Sequence, residues 1–331
     1  MSASITLTID EFFAHIETLP QVDILPLLQQ YDAQASPYEA GKLVEALSSR
    51  LELSCQTGDL AYVSCILEHW KALTCTDAPD DDLLFQLLVS AAQNGHHDLV
   101  RCLLSHGAKV TPIIPSLVIA SADPEIDIRD VVRVIIEVGA WSINETSADC
   151  RPALQYAVKR PELLSALLEW GADPNAVGHD GLTPHDAAAG RSTTRVFDHL
   201  LAAGAMLTNA YPLHQAVASS SSDALPMIKH LIALGVDINA RLFEHHPERA
   251  KLRQDAEDFG TPLHCAARSG SKGRVVFLLE HSADAGKRSS RGKSALDWAQ
   301  RARRPRVHAE VLGWLAEVER GVGHGDSDDK E

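Results

Sequence analysis

The sequence predicts an all-α fold, a solenoid of repeated helix-turn-helix units with short β-hairpin fingers between them and a helical N-terminal cap. Two observations predict it. Short apolar helices with sharp ends recur along the chain, and the pairs of small residues that end them fall at a nearly constant spacing. The 331 residues, 45% of them hydrophobic, could form two ordinary domains or one elongated array, and the self-similarity favours the array.

The clearest unit is the stretch GTPLHCAARSG, residues 260–270. Thr261 can cap a first helical turn with its hydroxyl, and Pro262 stands at the first helical position, where its missing N–H costs nothing. Small alanine side chains on one face let a neighbouring helix approach closely. Gly270 can end the helix in the left-handed region without a Cβ penalty. A second apolar helix is predicted to follow at residues 275–279.

This unit recurs along most of the chain. Its helix-ending pairs begin at Gly107, Gly139, Gly171, Gly204, Gly235 and Ser282, with spacings of 32, 32, 33, 31 and 47 residues. The TPLHxAA segment, the apolar second helix and this period resemble an ankyrin repeat protein. The resemblance implies a stand-alone array with a cap over residues 1–50 and a repeat domain over 51–320. A degenerate first repeat occupies 51–77, and about seven repeats follow.

The two ends of the chain do not repeat. Residues 8–11 form a capping box ahead of an apolar run, and Pro37 opens a later helix. We expect these helices to cover the first repeat, since each repeat of a solenoid buries its apolar face only against a neighbour. The acidic tail, residues 321–331, has almost no apolar content and is predicted to be disordered.

Composition restricts the partners and the compartment. A formal net charge of −15 argues against nucleic acid, because binding to phosphate backbones needs an excess of Lys and Arg. The chain has no apolar run of the roughly 18 to 20 residues that a membrane span needs, and its first residues do not resemble a signal peptide. Six cysteines without a CxxC pair fit reduced thiols. We expect a cytoplasmic protein, with the nucleus as the alternative compartment, that binds no membrane.

The fingers between repeats differ in length. The resemblance implies about ten residues per finger, and segments 141–150, 173–182 and 284–293 keep that length. Segments 109–113 and 206–210 have five residues, whereas segment 237–260 has twenty-four. We name its central part, residues 241–259, the flap. Loops longer than roughly 12 to 15 residues are usually functional or disordered, so the flap is the first functional candidate. A solvated excursion is the alternative, because loop length costs little stability.

The resemblance implies a protein–protein interaction module, a scaffold or adaptor that holds a partner by its concave groove, fingers and flap. By position in the repeat, we expect contacts from the standard finger and the inner helices. These residues are His179, Asp180, Leu182, Gln155, Tyr211, Gln215 and Cys265. From the flap and the last finger, we expect contacts from Phe243, His245, His246, Phe259, Arg288 and Arg291.

The two arginines belong to a basic patch over residues 286–306, for which we expect a solvated capping face. An acidic partner docked on this patch and a nuclear-import signal are the alternatives.

An enzyme or small-ligand protein that uses the groove under the flap is the alternative function. Candidate acid–base groups are His185, Asp186, His214, His245, His246 and His264. The resemblance implies structural roles for His214 and His264, and no nucleophile or phosphate-loop motif is present. Residues 244–248, EHHPE, carry metal-ligand atoms, but adjacent histidines cannot readily face one ion. The sequence therefore predicts no catalytic residue, no metal site and no cofactor.

Overall fold

The computed structural model describes residues 37–71, 78–145, 151–221, 223–252, 258–301, 312–313 and 315–317. These residues form short α-helices joined by turns, with one 3₁₀-helix and no β-strand among them. The all-α prediction is confirmed. No helix in this described part is long and apolar enough to cross a membrane. The predicted helices before residue 37 and the acidic tail lie outside the described residues.

The chain divides into two compact units, Met1–Glu145 and Thr146–Glu331. The described helices of the first unit form pairs: α1 (Pro37–Thr57) with α2 (Leu60–Glu68), α3 (Asp81–Gln93) with α4 (His97–Ser105), and α5 (Ile113–Ser121) with α6 (Arg129–Glu137). First helices of successive pairs pack together, and so do second helices. Leu51, Leu87 and Leu103 are fully buried in this stack. Helix α1 is continuous through residue 50, where the cap was predicted to end.

The second unit continues the pattern. Its pairs are α7 (Ala153–Ala157) with α8 (Pro161–Glu169), α9 (Pro184–Arg191) with α10 (Thr194–Ala202), α11 (Pro212–Ala218) with α12 (Ala224–Ala233), and α14 (Pro262–Ser269) with α15 (Lys272–Glu280). A single turn, α13 (Pro247–Ala250), lies in the flap, and α16 (Ala295–Gln300) follows the last finger. Helices α7, α9, α11, α14 and α16 pack in that order, so the intervening fingers emerge along one edge.

The ends of the helix pairs show why small residues recur there. Left-handed φ values of 96°, 92°, 94° and 78° occur at Gly107, Gly171, Gly204 and Gly235. Glycine adopts this conformation without a Cβ penalty. At the pair 139–140 the left-handed residue is Ala140, with φ 53°, and at 282 it is a serine with φ 70°. The predicted helix end at Gly270 is confirmed by its φ of 75°.

Two ten-residue fingers end in tight hairpin turns. The Gly178 N–H donates to the Leu182 carbonyl at 2.8 Å, and the Ser289 N–H donates to the Lys293 carbonyl at the same distance. The shortened finger before α11 holds the 3₁₀-helix Leu207–Asn209 instead. Few backbone hydrogen bonds close each hairpin turn, and no strand ladder follows the turn among the described residues.

Candidate functional site

The described part of the flap folds back onto finger 173–182 and onto Tyr211, which follows finger 206–210. Phe243 is only 3% exposed and packs with Leu182 and Tyr211, while Leu242, Ala250 and Phe259 border this cluster. The Phe243 ring meets the rings of Tyr211 and Phe259 edge to face, each at a centroid distance of 5.4 Å. Such aromatic pairs add to the stabilisation that burial alone gives. The flap is therefore anchored by a small hydrophobic core of its own.

Polar contacts fix the start of the flap. The Leu242 N–H donates to the Gly260 carbonyl at 3.0 Å and so joins the two ends of the insertion. Glu244 accepts from the backbone N–H and guanidinium of Arg241, at 2.8 and 2.9 Å, and from the Lys287 ammonium at 3.3 Å. Burial alone would raise the pKa of Glu244, but these hydrogen bonds and cations lower it to about 2. The carboxylate is thus ionised and ties the flap to the next finger.

Asp258 fixes the end of the flap. Its carboxylate accepts from Ser289 Oγ at 2.9 Å, Ser290 Oγ at 3.1 Å, the Arg291 N–H at 3.0 Å and Trp298 Nε1 at 3.1 Å. Burial opposes ionisation, but the hydrogen bonds outweigh it and the pKa of Asp258 is lowered. The last finger is therefore built around a carboxylate that the flap supplies.

Close packing under the flap restricts two backbone positions. Phe243 adopts φ 60°, a left-handed conformation that is strained for a bulky side chain. Gly181 has φ 74°, and a Cβ there would lie 3.0 Å from both the Phe243 ring and the Arg249 carbonyl oxygen. The fold of the flap thus depends on a glycine in finger 173–182.

The other face of the flap points outward. His245, Pro247, Glu248, Lys251 and Leu252 are exposed, and Leu252 is 47% exposed although it is apolar. Their backbone is held from below, since the His245 N–H donates to the Tyr211 hydroxyl at 3.2 Å. The flap therefore presents a mixed polar and apolar surface on a fixed backbone.

His246 does not share this exposed surface. It is half-buried, its Nε2 contacts the Thr208 carbonyl at 3.2 Å, and its Nδ1 lies 3.4 Å from the Glu248 carboxylate. These contacts hold the flap against the shortened finger that contains Thr208.

The predicted contact residues fall into three classes of exposure. Buried side chains are Gln155, Leu182, Tyr211, Phe243 and Cys265; half-buried ones are His179, Asp180, Gln215, His246 and Phe259; exposed ones are His245, Arg288 and Arg291. Gln155 supports the finger from within, because its Nε2 donates to the Leu182 carbonyl at 2.6 Å. Asp180 pairs at 2.8 Å with Arg151, which lies just before α7. A role in partner contact stays a prediction for every member of the set.

Sequence reasoning missed Asp258 and Leu252. The importance of Asp258 depends on four donors that lie 31 to 40 positions away, which no local pattern signals. Leu252 could have been found as an apolar residue in an otherwise polar part of the loop.

Two of the candidate acid–base residues, Asp186 and His214, bind the backbone of the next repeat. The Asp186 carboxylate is fully buried and accepts from the Thr183 N–H at 2.8 Å, the Thr183 hydroxyl at 3.0 Å and the Tyr211 N–H at 2.5 Å. Burial raises the pKa of Asp186 to about 6 against these hydrogen bonds. His214 Nε2 contacts the Gly260 carbonyl at 3.2 Å, and burial lowers the pKa of His214 to about 4.

His264 and His185 differ in their polar contacts. The Nδ1 atom of His264 accepts from the Thr261 N–H at 3.2 Å, and Nε2 contacts the Lys293 carbonyl at 3.0 Å. His185 is 1% exposed and stacks on Phe197 at a centroid distance of 4.4 Å. Neither ring nitrogen makes a hydrogen bond of ordinary geometry. Burial lowers the pKa of His185 to about 4, with the Phe197 backbone and the Asp198 charge opposing that shift.

These polar residues line neither of two clefts in the described part of the chain. A cleft of about 370 Å³ in the first unit is lined by α1 and α3, and a cleft of about 490 Å³ in the second unit is lined by α12, α15 and Ser271 before α15. The described residues also contain no group of three His, Cys, Asp or Glu side chains placed to hold a metal ion. Asp186, His214 and His264 instead connect consecutive repeats.

The sequence matches the family with this architecture. Residues 213–324 match the family model "Ankyrin repeats (3 copies)", and residues 87–113 match "Ankyrin repeat". This chain contains ankyrin repeats. The predicted resemblance is confirmed, and the junctions between repeats are made by the histidines that end the segments YPLH, residues 211–214, and TPLH, residues 261–264.

Three curated proteins are similar to parts of this ankyrin repeat chain. The Transient receptor potential protein of Drosophila melanogaster is 26% identical over 250 residues, which cover 69% of the chain and 19% of the fly protein. Two proteins of Oryza sativa subsp. japonica, the BTB/POZ domain and ankyrin repeat-containing proteins NH5.2 and NH5.1, are each 39% identical over 72 residues. That match covers 21% of the chain and 14% of each rice protein. The chain thus spans less than a fifth of these relatives.

Proposed function

We propose that this chain is a protein-binding module whose partner contacts the outer face of the flap and the fingers beside it. Ankyrin repeats generally mediate protein–protein interaction. The observation that carries the proposal is that the insertion is tied down at both ends and by its aromatic cluster, while His245, Glu248, Lys251 and Leu252 point outward.

A surface loop without a function would not need contacts at both ends and an aromatic cluster to hold it in place. A loop that serves no purpose costs little when it is solvated. Here the insertion holds a phenylalanine in a left-handed conformation, which costs on the order of 1 to 3 kcal/mol, and offsets that cost by burying Phe243 against Tyr211. The result is a surface that needs little further ordering when a partner binds, and pre-ordering of this kind favours affinity.

The chemistry of the surface suits a protein partner. Leu252 offers an exposed apolar side chain, with Glu248 and Lys251 close to it in the chain. Arg288 and Arg291 are exposed on the last finger, which Asp258 and Glu244 connect to the flap. An apolar anchor with a charged surround is the usual composition of a protein interface, and we place the anchor at Leu252.

The test is a pair of matched triple variants. His245→Ala, Lys251→Ala and Leu252→Ala together remove three exposed flap side chains without touching the cluster below. The control, Lys159→Ala, His199→Ala and Leu234→Ala, removes the same residue types from exposed positions outside the flap. Quantitative pull-down from cells of the source organism should show a partner that the flap variant loses at least tenfold and the control retains.

Two further results separate the outcomes. If both triple variants retain the same partners as the unaltered chain, the flap surface is not the site. Replacement of residues 242–257 by a short finger should lose the same partner. Because that replacement also uncovers Leu182 and Tyr211, its result counts only where circular dichroism and a cooperative melt show that the repeats remain folded.

A further inference from the structure

A second surface lies away from the flap, on α12 and α15, which are the second helices of consecutive repeats. A cleft of about 490 Å³ is lined by Leu225, Lys229, Ser271, Lys272, Gly273, Arg274, Val276, Phe277 and Glu280. A Cβ on Gly273 would meet no atom within 4 Å, so this side of the cleft is open. None of the flap residues contributes to the lining.

The cleft is basic in a chain that is acidic. Lys229, Lys272 and Arg274 contribute three positive charges against one negative charge from Glu280, whereas the whole chain has a formal net charge of −15. Arg274 is fixed in place, because its Nη1 donates to the Val217 carbonyl at 2.8 Å and to a second backbone carbonyl in the same segment. A local patch of opposite sign steers a complementary partner toward itself.

The same cleft has an apolar floor. Leu225 is 40% exposed, and Val276 and Phe277 are half-buried. The Lys229 ammonium lies 5.8 Å from the centroid of the Phe277 ring, a cation–π distance that places a positive charge at the edge of this floor. Apolar anchors flanked by charges are the features by which a groove recognises one face of an amphipathic segment.

We propose that this cleft docks an acidic amphipathic segment of a partner protein. A large apolar side chain of that segment enters between Leu225 and Phe277, and Asp or Glu residues on either side face Lys229 and Lys272. The apolar floor and the presence of Glu280 favour a peptide over a nucleic acid, which requires contacts to a continuous row of phosphates. The site is separate from the flap, so this proposal can be tested independently of the function proposed above.

The experiment uses a phage-displayed library of random 12-residue peptides, selected on the full chain and depleted on the variant Lys229→Glu, Lys272→Glu. The surviving sequences should be enriched in Asp, Glu and large apolar residues. The most enriched peptide is then synthesised with a fluorescent label, and its affinity is measured by fluorescence polarisation. We expect the charge-reversal variant to weaken binding at least tenfold and Leu225→Ala to weaken it at least threefold. Raising the salt concentration should also weaken binding.

A matched control makes the same change in net charge at two positions outside the cleft. Lys159→Glu, Arg195→Glu reverses two exposed cations elsewhere, and binding should stay within twofold. The proposal is overturned if no peptide survives depletion, if the survivors lack acidic residues, or if this control weakens binding as strongly. All variants should show the circular dichroism spectrum and melting transition of the unaltered chain, since the substituted side chains are exposed.

Two more proteins distinguish the occupant and the site. The flap variant His245→Ala, Lys251→Ala, Leu252→Ala should bind the peptide normally, which separates this site from the flap. Deletion of the acidic segment 321–331 should leave the affinity unchanged. A tenfold gain on that deletion would identify the chain's own acidic segment as the occupant and overturn the proposal of a separate partner.

Discussion

Two repeats use the same position to bind the backbone of the next repeat, but one faces a hydrogen-bond donor there and the other faces an acceptor. Residues 183–186 and 261–264 both open a helix with Thr-Pro, and both use their fourth residue to reach the backbone of the next repeat. Asp186 accepts a backbone N–H there, whereas His264 contacts a backbone carbonyl. The comparison shows that the position requires a bridge between repeats, and that the group facing it decides which residue can form the bridge.

Proton counting explains why the two residues are not interchangeable. A neutral imidazole has one donor and one acceptor, which fits His264 between the Thr261 N–H and the Lys293 carbonyl. Asp186 has donors on both sides, from Thr183 and Tyr211, and only a group that accepts twice can satisfy both. A carboxylate does so at the cost of burying a charge, which the raised pKa of Asp186 reflects.

The third position of each segment differs as well. Leu263 is an apolar residue with 1% exposure, and His185 has the same exposure but carries two ring nitrogens without hydrogen bonds of ordinary geometry. Stacking on Phe197 offsets part of the free-energy cost of burying these two ring nitrogens. The repeat at 183–186 is therefore the more polar and the less satisfied of the two.

The largest expected effect comes from exchanging the bridging residues. Asp186→His should destabilise the fold although it restores the residue typical of the family, because one backbone N–H is left without an acceptor. His264→Asp should destabilise it too, because a carboxylate would face the Lys293 carbonyl. We expect losses of about 2 to 4 kcal/mol each, measured by urea denaturation. The control Asp130→His changes an exposed residue and should cost little. A gain in stability from Asp186→His would refute the polarity argument.

Acidification should affect the buried histidines and Asp186 in opposite senses. Burial lowers the pKa of His185 and His214 from 6.5 to about 4, so their contribution is complete above pH 6.5 and is lost as the pH falls toward 4. Asp186 acts in the opposite sense, because its pKa is raised from 3.8 to about 6 and its protonation favours the fold below pH 6. Burial lowers the pKa of His264 as well, so the histidines outweigh Asp186 and stability should fall by roughly 2 kcal/mol between pH 7 and 5. Urea midpoints at pH 7, 6 and 5 test this, and a flat profile would contradict it.

A substitution at the third position should make the repeat at 183–186 more similar to the repeat at 261–264. His185→Leu places there the residue that the other repeat has, removes two unsatisfied nitrogens and keeps an apolar contact with Phe197. We expect a gain of about 1 kcal/mol at pH 7 and a larger gain at pH 5, where the native fold no longer has to exclude a proton from this site. An equal gain at both pH values would show that titration of His185 does not contribute.

The smallest effect concerns two ten-residue fingers, 173–182 before the first segment and 284–293 after the second. Gly181 and Gly292 both have φ 74° in ten-residue fingers, but only Gly181 lies under the flap. Alanine should cost about 1 kcal/mol at either site through its backbone conformation. Gly181→Ala should cost a few tenths of a kcal/mol more, and hydrogen exchange should rise in residues 241–252 for this variant alone. Equal exchange in both variants would mean that the flap does not rest on this finger.

The sequence predicted the repeats well and the flap poorly, for a physical reason. A cap at Thr261 and a helix end at Gly270 depend on neighbours within a few residues, so spacing alone reveals them. The length of the flap was also visible. Its fold was not, because Phe243 packs on residues from two earlier fingers and Asp258 binds donors more than thirty positions later.

The candidate site shows the same limit. Position in the repeat placed Leu182 and Tyr211 among the predicted contacts, but the flap covers both. At 185–186 the departure from the family motif was visible in the sequence, whereas the reversed polarity of the facing backbone group was not.

The hydrogen bond between Leu242 and Gly260 has a consequence for how this protein can change over evolution. It closes the base of the insertion, and Asp258 secures the following finger from within that base. Residues 247–252 can therefore vary in sequence, and even in number, without shifting the register of α11 against α14. Residues 247–252 are thus a place where a new recognition sequence could be grafted while the rest of the chain stays unchanged.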